Sequence, residues 1–166
     1  LSEKKEILIK HDALMDGYYK DEDQTNETIK DGWLYTGDEG EIDSEGFLKI
    51  TGRVKDMFKT SKGKYIEPGV LEAYFGNINE FSQLCVVGLS CDQPLLLAVP
   101  SELAIKNKES VSEKLAKVLE EVNEKLDNYK KISKIILVKE DWVPENGMTT
   151  PTLKIKRAKI DEKFSD

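Results

Sequence analysis

Two charged residues, each next to a glycine, stand at opposite ends of one short β-unit in this chain. Asp38 closes the sequence Tyr-Thr-Gly-Asp at residues 35–38, and Arg53 follows Gly52 in the sequence Gly-Arg-Val-Lys-Asp. Between them, residues 43–46 read Asp-Ser-Glu-Gly, a turn sequence that predicts a β-hairpin. The pattern therefore predicts an acid and a base on neighbouring strands.

Such a pair suits one end of a nucleotide. A carboxylate only accepts hydrogen bonds and can take both hydroxyls of a ribose diol. A guanidinium on the neighbouring strand can donate to the same sugar or to its phosphate. The spacing alone, however, favours an alternative in which Asp38 and Arg53 are a turn former and a surface charge.

Composition limits the classes of protein that fit. The 166 residues, 39% of them apolar, suffice for one domain with a core, or for a small domain plus part of another. A net charge of −7 argues against a nucleic-acid-binding surface. No apolar run approaches the roughly 20 residues that span a bilayer.

Neither cysteine has the spacing of a metal site. Cys85 lies in an apolar run and Cys91 follows it, so we expect two free thiols in a reducing compartment, with Cys85 in the core. This predicts a cytoplasmic protein and leaves peripheral attachment to a membrane surface open. The lone His11 is expected at the surface or in packing. Since the chain opens on Leu1 without a signal peptide, we expect a piece of a longer protein.

The first part of the chain predicts a β-rich module. Strand patterns occupy residues 6–10, 33–35, 40–42 and 47–51, and the polar stretch 21–31 predicts a short helix capped by Thr25 or Asn26. Trp33 and Tyr35 are expected in the core rather than as a platform on which a base stacks, although Tyr35 could do either. Since these strands are too few to close on themselves, the module should be the edge of a larger domain.

After a boundary at residues 52–55, the pattern predicts a compact α+β domain. A second hairpin over 54–66 turns at residues 61–63, and Pro68 begins a helix with Val70, Leu71, Tyr74 and Phe75 on its apolar face. A capping box at Ser110 should open an amphipathic helix. Buried strands are predicted at residues 84–89, 95–99 and 135–138, and a lysine-rich loop at 142–159.

Two longer motifs resemble a known family. Residues 32–38 read Gly-Trp-Leu-Tyr-Thr-Gly-Asp, and residues 46–53 read Gly-Phe-Leu-Lys-Ile-Thr-Gly-Arg. This wording is similar to the adenylate-forming superfamily of acyl-CoA synthetases, luciferases and peptide-synthetase adenylation domains. The resemblance implies a β-rich strip of the large N-terminal domain at residues 1–52, followed by the small mobile C-terminal α+β domain at 53–166.

The resemblance also implies roles for individual residues. Asp38 would hold the ribose hydroxyls of ATP and of the acyl-adenylate, and Arg53 would contact the nucleotide, with Tyr35 beside them. Lys55 matches the hinge about which the small domain rotates between two half-reactions. Many members have aspartate at the hinge, although lysine also occurs. Lys59 and Gly63 match a hairpin that contacts nucleotide or coenzyme A; their alternative is a plain hairpin turn.

The catalytic lysine of the family matches Lys154, in the sequence Thr-Pro-Thr-Leu-Lys-Ile-Lys-Arg at residues 150–157. An ammonium on a mobile loop can neutralise the two anions that meet when a carboxylate attacks the α-phosphate. Leu153 replaces the usual glycine, which resembles the long-chain branch and leaves the choice between Lys154 and Lys156 open. Without the resemblance, a solvated lysine cluster is the more common meaning of this stretch.

The predicted function is the C-terminal part of an ATP-dependent, AMP-forming acyl-CoA synthetase for a long-chain fatty acid. Its cofactors would be ATP, yielding AMP, Mg²⁺ accompanying ATP without a dedicated metal site here, and coenzyme A. The phosphate loop and adenine motif of the family do not appear, so the large domain is the expected partner and the piece alone should be inactive. The alternatives are an aryl-CoA ligase, a peptide-synthetase adenylation module, or a non-catalytic binding module that kept the fold.

Overall fold

The computed structural model describes residues 1–3, 5–106 and 108–164. The chain divides into two compact units, Leu1–Asp56 and Met57–Asp166. The architecture is mixed α+β, as predicted. In the described part, no helix is both long and apolar enough to cross a membrane.

The first unit is built around one long central strand. This strand, β3, pairs antiparallel with β1 along one edge and with β2 and then β4 along the other. The elements are β1 (Glu6–Ile9), helix α1 (Glu22–Thr28), β2 (Ile29–Lys30), β3 (Trp33–Ile42), β4 (Leu48–Arg53) and a 3-10 turn (Val54–Asp56).

The turn between β3 and β4 forms as predicted. One carboxylate oxygen of Asp43 accepts hydrogen bonds from the backbone N–H groups of Glu45 and Phe47, both at 2.9 Å. The backbone N–H of Gly46 donates to the carbonyl of Asp43 at 3.1 Å. These bonds close the hairpin, and a one-residue register shift between Glu39 and Gly40 then places Asp38 opposite Arg53.

Three local predictions in this unit are wrong. Helix α1 is capped by Asp21, whose carboxylate accepts from the backbone N–H of Gln24 at 2.9 Å. Thr25 is not the cap because its hydroxyl donates to the carbonyl of Asp21 inside the helix. Trp33 is not in the core but 41% exposed, with the ammonium of Lys10 5.6 Å from its ring centroid. Residues 54–56 form a 3-10 turn instead of a strand. His11 is exposed, as expected.

The second unit contains a three-stranded sheet of order β7-β8-β9, in which β7 and β8 are antiparallel and β8 and β9 parallel. A separate small hairpin pairs β5 with β6. The elements are β5 (Phe58–Lys59), β6 (Tyr65–Ile66), helix α2 (Pro68–Ala73), β7 (Phe81–Val87), β8 (Leu95–Pro100), helices α3 (Glu102–Lys106) and α4 (Lys108–Glu124), β9 (Ile135–Leu137), a 3-10 turn (Pro144–Asn146) and helix α5 (Arg157–Lys163).

Both faces of this sheet are covered by apolar side chains. Alternate residues of a strand point to opposite faces, so each strand contributes to both sides. On one side, Val86 and Leu96 pack with Phe58, Leu71 and Phe75. The other side is a second cluster, built from Cys85, Val87, Leu97, Val99, Val138, Trp142, Met148 and Ile160. Burial on both sides explains why these strands read as continuous apolar runs rather than alternating ones.

Cys85 is buried, as predicted, and neither Cys85 nor Cys91 forms a disulfide. The helix at Pro68 is also confirmed, but of its predicted apolar face only Leu71 and Phe75 are buried, whereas Val70 and Tyr74 are exposed. That helix is a single short piece ending at Ala73, so it presents a narrow stripe to the core.

Two predictions in the second half of this unit are wrong. Helix α4 begins at Lys108, so the predicted cap at Ser110, whose side chain lies outside the described part, falls inside the helix. Residues 157–159 are not loop, because they open helix α5, which buries Ile160 completely. A seven-residue helix with one buried apolar residue leaves almost no periodic signal.

An ion pair ties the loop before β7 to α4 and gives a pH-dependent prediction. The ammonium of Lys114 lies 2.6 Å from a carboxylate oxygen of Glu80. The hydrogen bond from Lys114 is the main cause that lowers the pKa of Glu80 below its ordinary value of 4.5. A lowered folded-state pKa stabilises the fold above the ordinary value, and that stability is lost as the pH falls through the folded-state pKa.

We therefore expect Glu80→Gln to lower the free energy of unfolding at pH 7 by at most about 1 kcal/mol. The difference from the wild type should close as the pH falls below 4.5. Denaturant unfolding at a series of pH values measures this. Glu113→Gln, which changes an exposed residue of α4, is the control and should have little effect on the free energy of unfolding. If Glu80→Gln loses the same stability at every pH, the lowered pKa of Glu80 is not the cause of the loss.

Candidate functional site

The predicted acid and base contact one another in the first unit. Asp38 on β3 lies directly opposite Arg53 on β4, and the guanidinium Nε is 3.0 Å from one carboxylate oxygen. Both side chains stay accessible, with 36% of Asp38 and 62% of Arg53 exposed. A carboxylate has about four acceptor positions and a guanidinium five donors, so each retains bonding capacity for a ligand.

The residues before Asp38 fix the backbone that presents it. The Thr36 hydroxyl donates to the carbonyl of Ile7 at 2.8 Å and accepts from the backbone N–H of Asp38 at 3.1 Å. Gly37 has φ +74°, a left-handed conformation that glycine adopts without strain. Its N–H donates to a carboxylate oxygen of Glu6 at 2.8 Å. Thr36 and Gly37 thus each have a structural role in presenting Asp38.

A cavity of about 500 Å³ opens beside this pair within the first unit. Three of the predicted residues line it, namely Tyr35, Arg53 and Lys55; Asp38 is not in the lining and joins it through Arg53. Sequence reasoning missed three charged residues of the lining, Glu6, Glu27 and Lys30. The ammonium of Lys30 lies 5.3 Å from the ring centroid of Tyr35.

Nothing in the local sequence distinguished Glu6 and Lys30 among these missed residues. Glu6 opens a short strand and Lys30 precedes a turn, both ordinary positions for a solvated charge. Only the pairing of β1 and β2 with opposite edges of β3 brings them to this wall.

Lys55, the predicted hinge, lies in the 3-10 turn Val54–Asp56 that ends the first unit. Its side chain is exposed. The division between the units follows directly, between Asp56 and Met57.

Lys59 and Gly63 share the small hairpin of the second unit. The turn is closed by the N–H of Gly63 donating to the carbonyl of Thr60 at 2.9 Å, and Gly63 has φ +75°, which favours glycine. Lys59 is exposed, with its ammonium 5.5 Å from the ring centroid of Tyr65.

Lys154 lies at the end of a tight turn in the second unit, between the 3-10 turn and α5. The N–H of Thr150 donates to the carbonyl of Lys154 at 2.8 Å, and the N–H of Leu153 donates to the carbonyl of Thr150 at 2.8 Å. The Thr150 hydroxyl also accepts from the N–H of Lys154 at 3.1 Å. Lys154 and Lys156 are both exposed, and within the described residues neither forms an ion pair with a carboxylate.

An ion pair that sequence reasoning missed anchors the chain just after this turn. Arg157, the first residue of α5, meets Glu72 of α2 in a two-pronged contact, with Nη1–Oε1 at 2.7 Å and Nη2–Oε2 at 3.0 Å. Arg157 also donates to the carbonyl of Val86 at 2.7 Å, while Glu72 accepts from the N–H of Val86 at the same distance. We call these three residues the Arg157 clamp.

The comparison with protein families decides the relationship. A model of the AMP-binding enzyme C-terminal domain matches residues 55–166, which is most of the chain. The chain belongs to this family.

Curated relatives extend the match to nearly the whole chain. A mouse long-chain-fatty-acid–CoA ligase 5 is 33% identical over 96% of this chain, and an Arabidopsis thaliana long chain acyl-CoA synthetase 8 is 31% identical over 97%. The chain spans 26% of the length of each. The activity of such a whole protein therefore involves much that lies outside these 166 residues.

A solved structure shows the same fold. The A domain of a carboxylic acid reductase from Segniliparus rugosus, in complex with AMP and a co-purified carboxylic acid, matches with a TM-score of 0.79 and 26% identity. The match covers 96% of this chain and 26% of that one. The chain thus has the fold of the corresponding part of an adenylation domain.

Proposed function

We propose that this chain is the C-terminal part of an ATP-dependent, AMP-forming acyl-CoA synthetase for long-chain fatty acids. Residues 1–52 would be the edge of its large domain, and residues 53–166 its small mobile domain. The observation that supports this most is the contact between Asp38 and Arg53 beside a cavity lined by Tyr35. The curated relatives, named as long-chain ligases, support the substrate class.

The site in the first unit suits the sugar end of a nucleotide. Asp38, held at one side by Arg53, keeps acceptor positions for the two hydroxyls of a ribose. Arg53 keeps donors for the ring oxygen of the ribose or for a phosphate, and its guanidinium would offset the negative charge of that phosphate. A cavity of about 500 Å³ is of the size that holds part of a small-molecule ligand.

Lys154 would supply the charge for the first half-reaction. When the acid carboxylate attacks the α-phosphate of ATP, two anions approach each other and pyrophosphate leaves. The Lys154 ammonium is exposed and has no carboxylate partner among the described residues. It is therefore available to neutralise both anions. The carboxyl oxygen then bonds to phosphorus, giving the acyl-adenylate.

Lys55, Lys59 and Gly63 have the remaining proposed roles, in domain movement and in ligand binding. Lys55 would be the pivot that lets the small domain present a different face for thioester formation, and the hairpin of Lys59 and Gly63 would contact nucleotide or coenzyme A. Mg²⁺ would enter with the phosphates of ATP, screening their charge. The large domain, supplied by the rest of the polypeptide, would provide the phosphate loop and most of the acyl site.

Substituting Asp38 tests the nucleotide assignment. In the full-length ligase, Asp38→Ala should raise the KM for ATP about ten- to a hundredfold, because it removes charge-assisted hydrogen bonds worth about 1.5–3 kcal/mol. Steady-state kinetics of acid-dependent pyrophosphate release measures this. The proposal fails if the KM for ATP stays at the wild-type value.

Glu41→Ala is the matched control for this experiment. Glu41 lies on the same strand as Asp38 and makes the neighbouring cross-strand ion pair, to Lys49 at 3.7 Å. The Glu41→Ala variant loses a comparable surface contact that does not line the cavity, so its KM for ATP should be unchanged. Equal effects of the two variants would point to a general disturbance of the strand pair.

A further inference from the structure

The turn that carries Lys154 is the tip of a small hairpin in the second unit. Three backbone contacts join the two arms of this hairpin, from tip to base: Thr150 with Lys154, Thr149 with Ile155, and Met148 with Lys156. We call residues 148–156 the Lys154 hairpin. Because its arms are bonded to each other along their length, a displacement of either arm at the base is passed on to Lys154 at the tip.

The tip of the Lys154 hairpin is strained. Leu153 has φ +62°, in the left-handed region where side chains with a Cβ are unfavourable. A strained backbone persists only where the surrounding structure fixes it. Burial of the leaving arm does not supply this, because Lys154 and Lys156 are exposed and Ile155 between them is only half-buried. The hairpin therefore needs anchors at its base.

The two arms have different anchors at the base. The entering arm is held by burial, since Met148 and Thr149 are both buried. The leaving arm continues directly into Arg157, which the clamp holds through the two-pronged contact with Glu72 of α2 and the bond to the carbonyl of Val86 on β7. Since Glu72 also accepts from the N–H of Val86, each member of the clamp is bonded to both others.

Stability of the fold alone does not account for the clamp. A buried ion pair is commonly no more stabilising than well-packed apolar residues of similar size. Helix α5 already has an apolar anchor, because Ile160 is completely buried in the cluster that contains Met148. The ion pair adds a fixed geometry, since the planar guanidinium of Arg157 fits the Glu72 carboxylate as a two-pronged fork.

We propose that Arg157 is a positioning residue for Lys154. The clamp fixes the leaving arm of the Lys154 hairpin and, through the bonds between the arms, the place at which the Lys154 ammonium meets the reacting groups. This rests on the proposed function, since it takes Lys154 to be the catalytic lysine. A catalytic group displaced by about 1 Å can lose about 10²-fold in rate. The loss should be confined to the step that Lys154 serves, formation of the acyl-adenylate.

The test measures the two half-reactions of the full-length ligase separately. Adenylation is followed as single-turnover pyrophosphate release from palmitate and ATP, and thioester formation as palmitoyl-CoA made from added palmitoyl-adenylate. Arg157→Lys keeps the charge but loses the two-pronged contact with Glu72. It should lower the maximal rate of adenylation about 10- to 100-fold without changing the ATP concentration that gives half of that rate. Thioester formation should stay within about twofold of the wild type.

A second variant breaks the same contact from the other side. Glu72 lies on α2, 85 residues from Arg157 along the chain. Positioning through the clamp predicts that Glu72→Gln also slows adenylation selectively, by about tenfold or more. Val111→Ala is the control, because it opens a cavity in a cluster that contains none of the three clamp residues. It should lower the melting temperature but leave the ratio of the two rates unchanged, at a temperature where every variant is folded.

The outcomes distinguish positioning from a general loss of folded enzyme. The Arg157 proposal is overturned if Arg157→Lys slows both half-reactions by the same factor, or if it slows neither. It is also overturned if Glu72→Gln leaves adenylation at the wild-type rate. Lys154→Gln tests the function on which the proposal rests and should slow adenylation alone. If Lys154→Gln slows neither half-reaction, the proposed function of Lys154 fails, whatever Arg157 does.

Discussion

Lys154→Ala in the full-length ligase is expected to slow acid-dependent pyrophosphate release by about 10²–10³-fold, the loss seen when one preorganised charge donor is removed from an active site. This corresponds to about 3–4 kcal/mol of barrier. The physical reason is that the exposed Lys154 ammonium would neutralise both the carboxylate and the α-phosphate as they approach. Single-turnover measurement of pyrophosphate release separates this step from substrate binding.

Lys156→Ala is the control that also resolves the choice left open by the sequence. Lys156 has the same charge and is also exposed, but its N–H donates to the carbonyl of Met148, one step further from the turn than the bonds between Lys154 and Thr150. We expect it to retain nearly all of the activity. If Lys156→Ala is the slow variant and Lys154→Ala is not, the catalytic role passes to Lys156.

Arg157→Ala is expected to destabilise the second unit by about 3 kcal/mol. It leaves the Glu72 carboxylate, only 19% exposed, without the cation that now offsets its charge. It also removes the hydrogen bond to the carbonyl of Val86. Urea or thermal unfolding of this chain measures the loss, and for a unit of this size it corresponds to a melting temperature lower by roughly 10 °C.

Lys159→Ala is the matched control on the same helix. Lys159 pairs with Glu162 at 2.7 Å, but both side chains are largely exposed, so removing it should cost less than about 1 kcal/mol. A double variant with Glu72→Ala and Arg157→Ala should lose less than the sum of the two single changes, because each single change strands the partner. Additive losses, or a loss for Arg157 no larger than that for Lys159, would contradict the clamp.

Local signals predicted the parts of the fold that depend on near neighbours. The Asp43 turn, the helix at Pro68 and the buried strand containing Cys85 each follow from chemistry within a few residues. The hairpin also brings Asp38 and Arg53 to neighbouring strands, but their direct pairing depends on a register shift between Glu39 and Gly40 that the turn does not predict.

The Arg157 clamp could not be predicted in this way. Its partners lie 85 and 71 residues away along the chain, so only the folded unit reveals that Arg157 is structural rather than one more charge in a basic tail. The charged residues in the wall of the cavity in the first unit could not be predicted either, because Glu6 and Lys30 reach that wall through strand pairing. The left-handed angle of Leu153 also has no signal in the sequence, since leucine is an unfavourable residue for it.

The products of ATP turnover test the central claim most directly. The full-length polypeptide, incubated with palmitate, ATP, Mg²⁺ and coenzyme A, should form palmitoyl-CoA, AMP and pyrophosphate in equal amounts. Omitting coenzyme A should leave a bound palmitoyl-adenylate and a single burst of pyrophosphate. Release of ADP and phosphate instead, or no nucleotide turnover that depends on the acid, would contradict the assignment of this chain to an AMP-forming long-chain ligase.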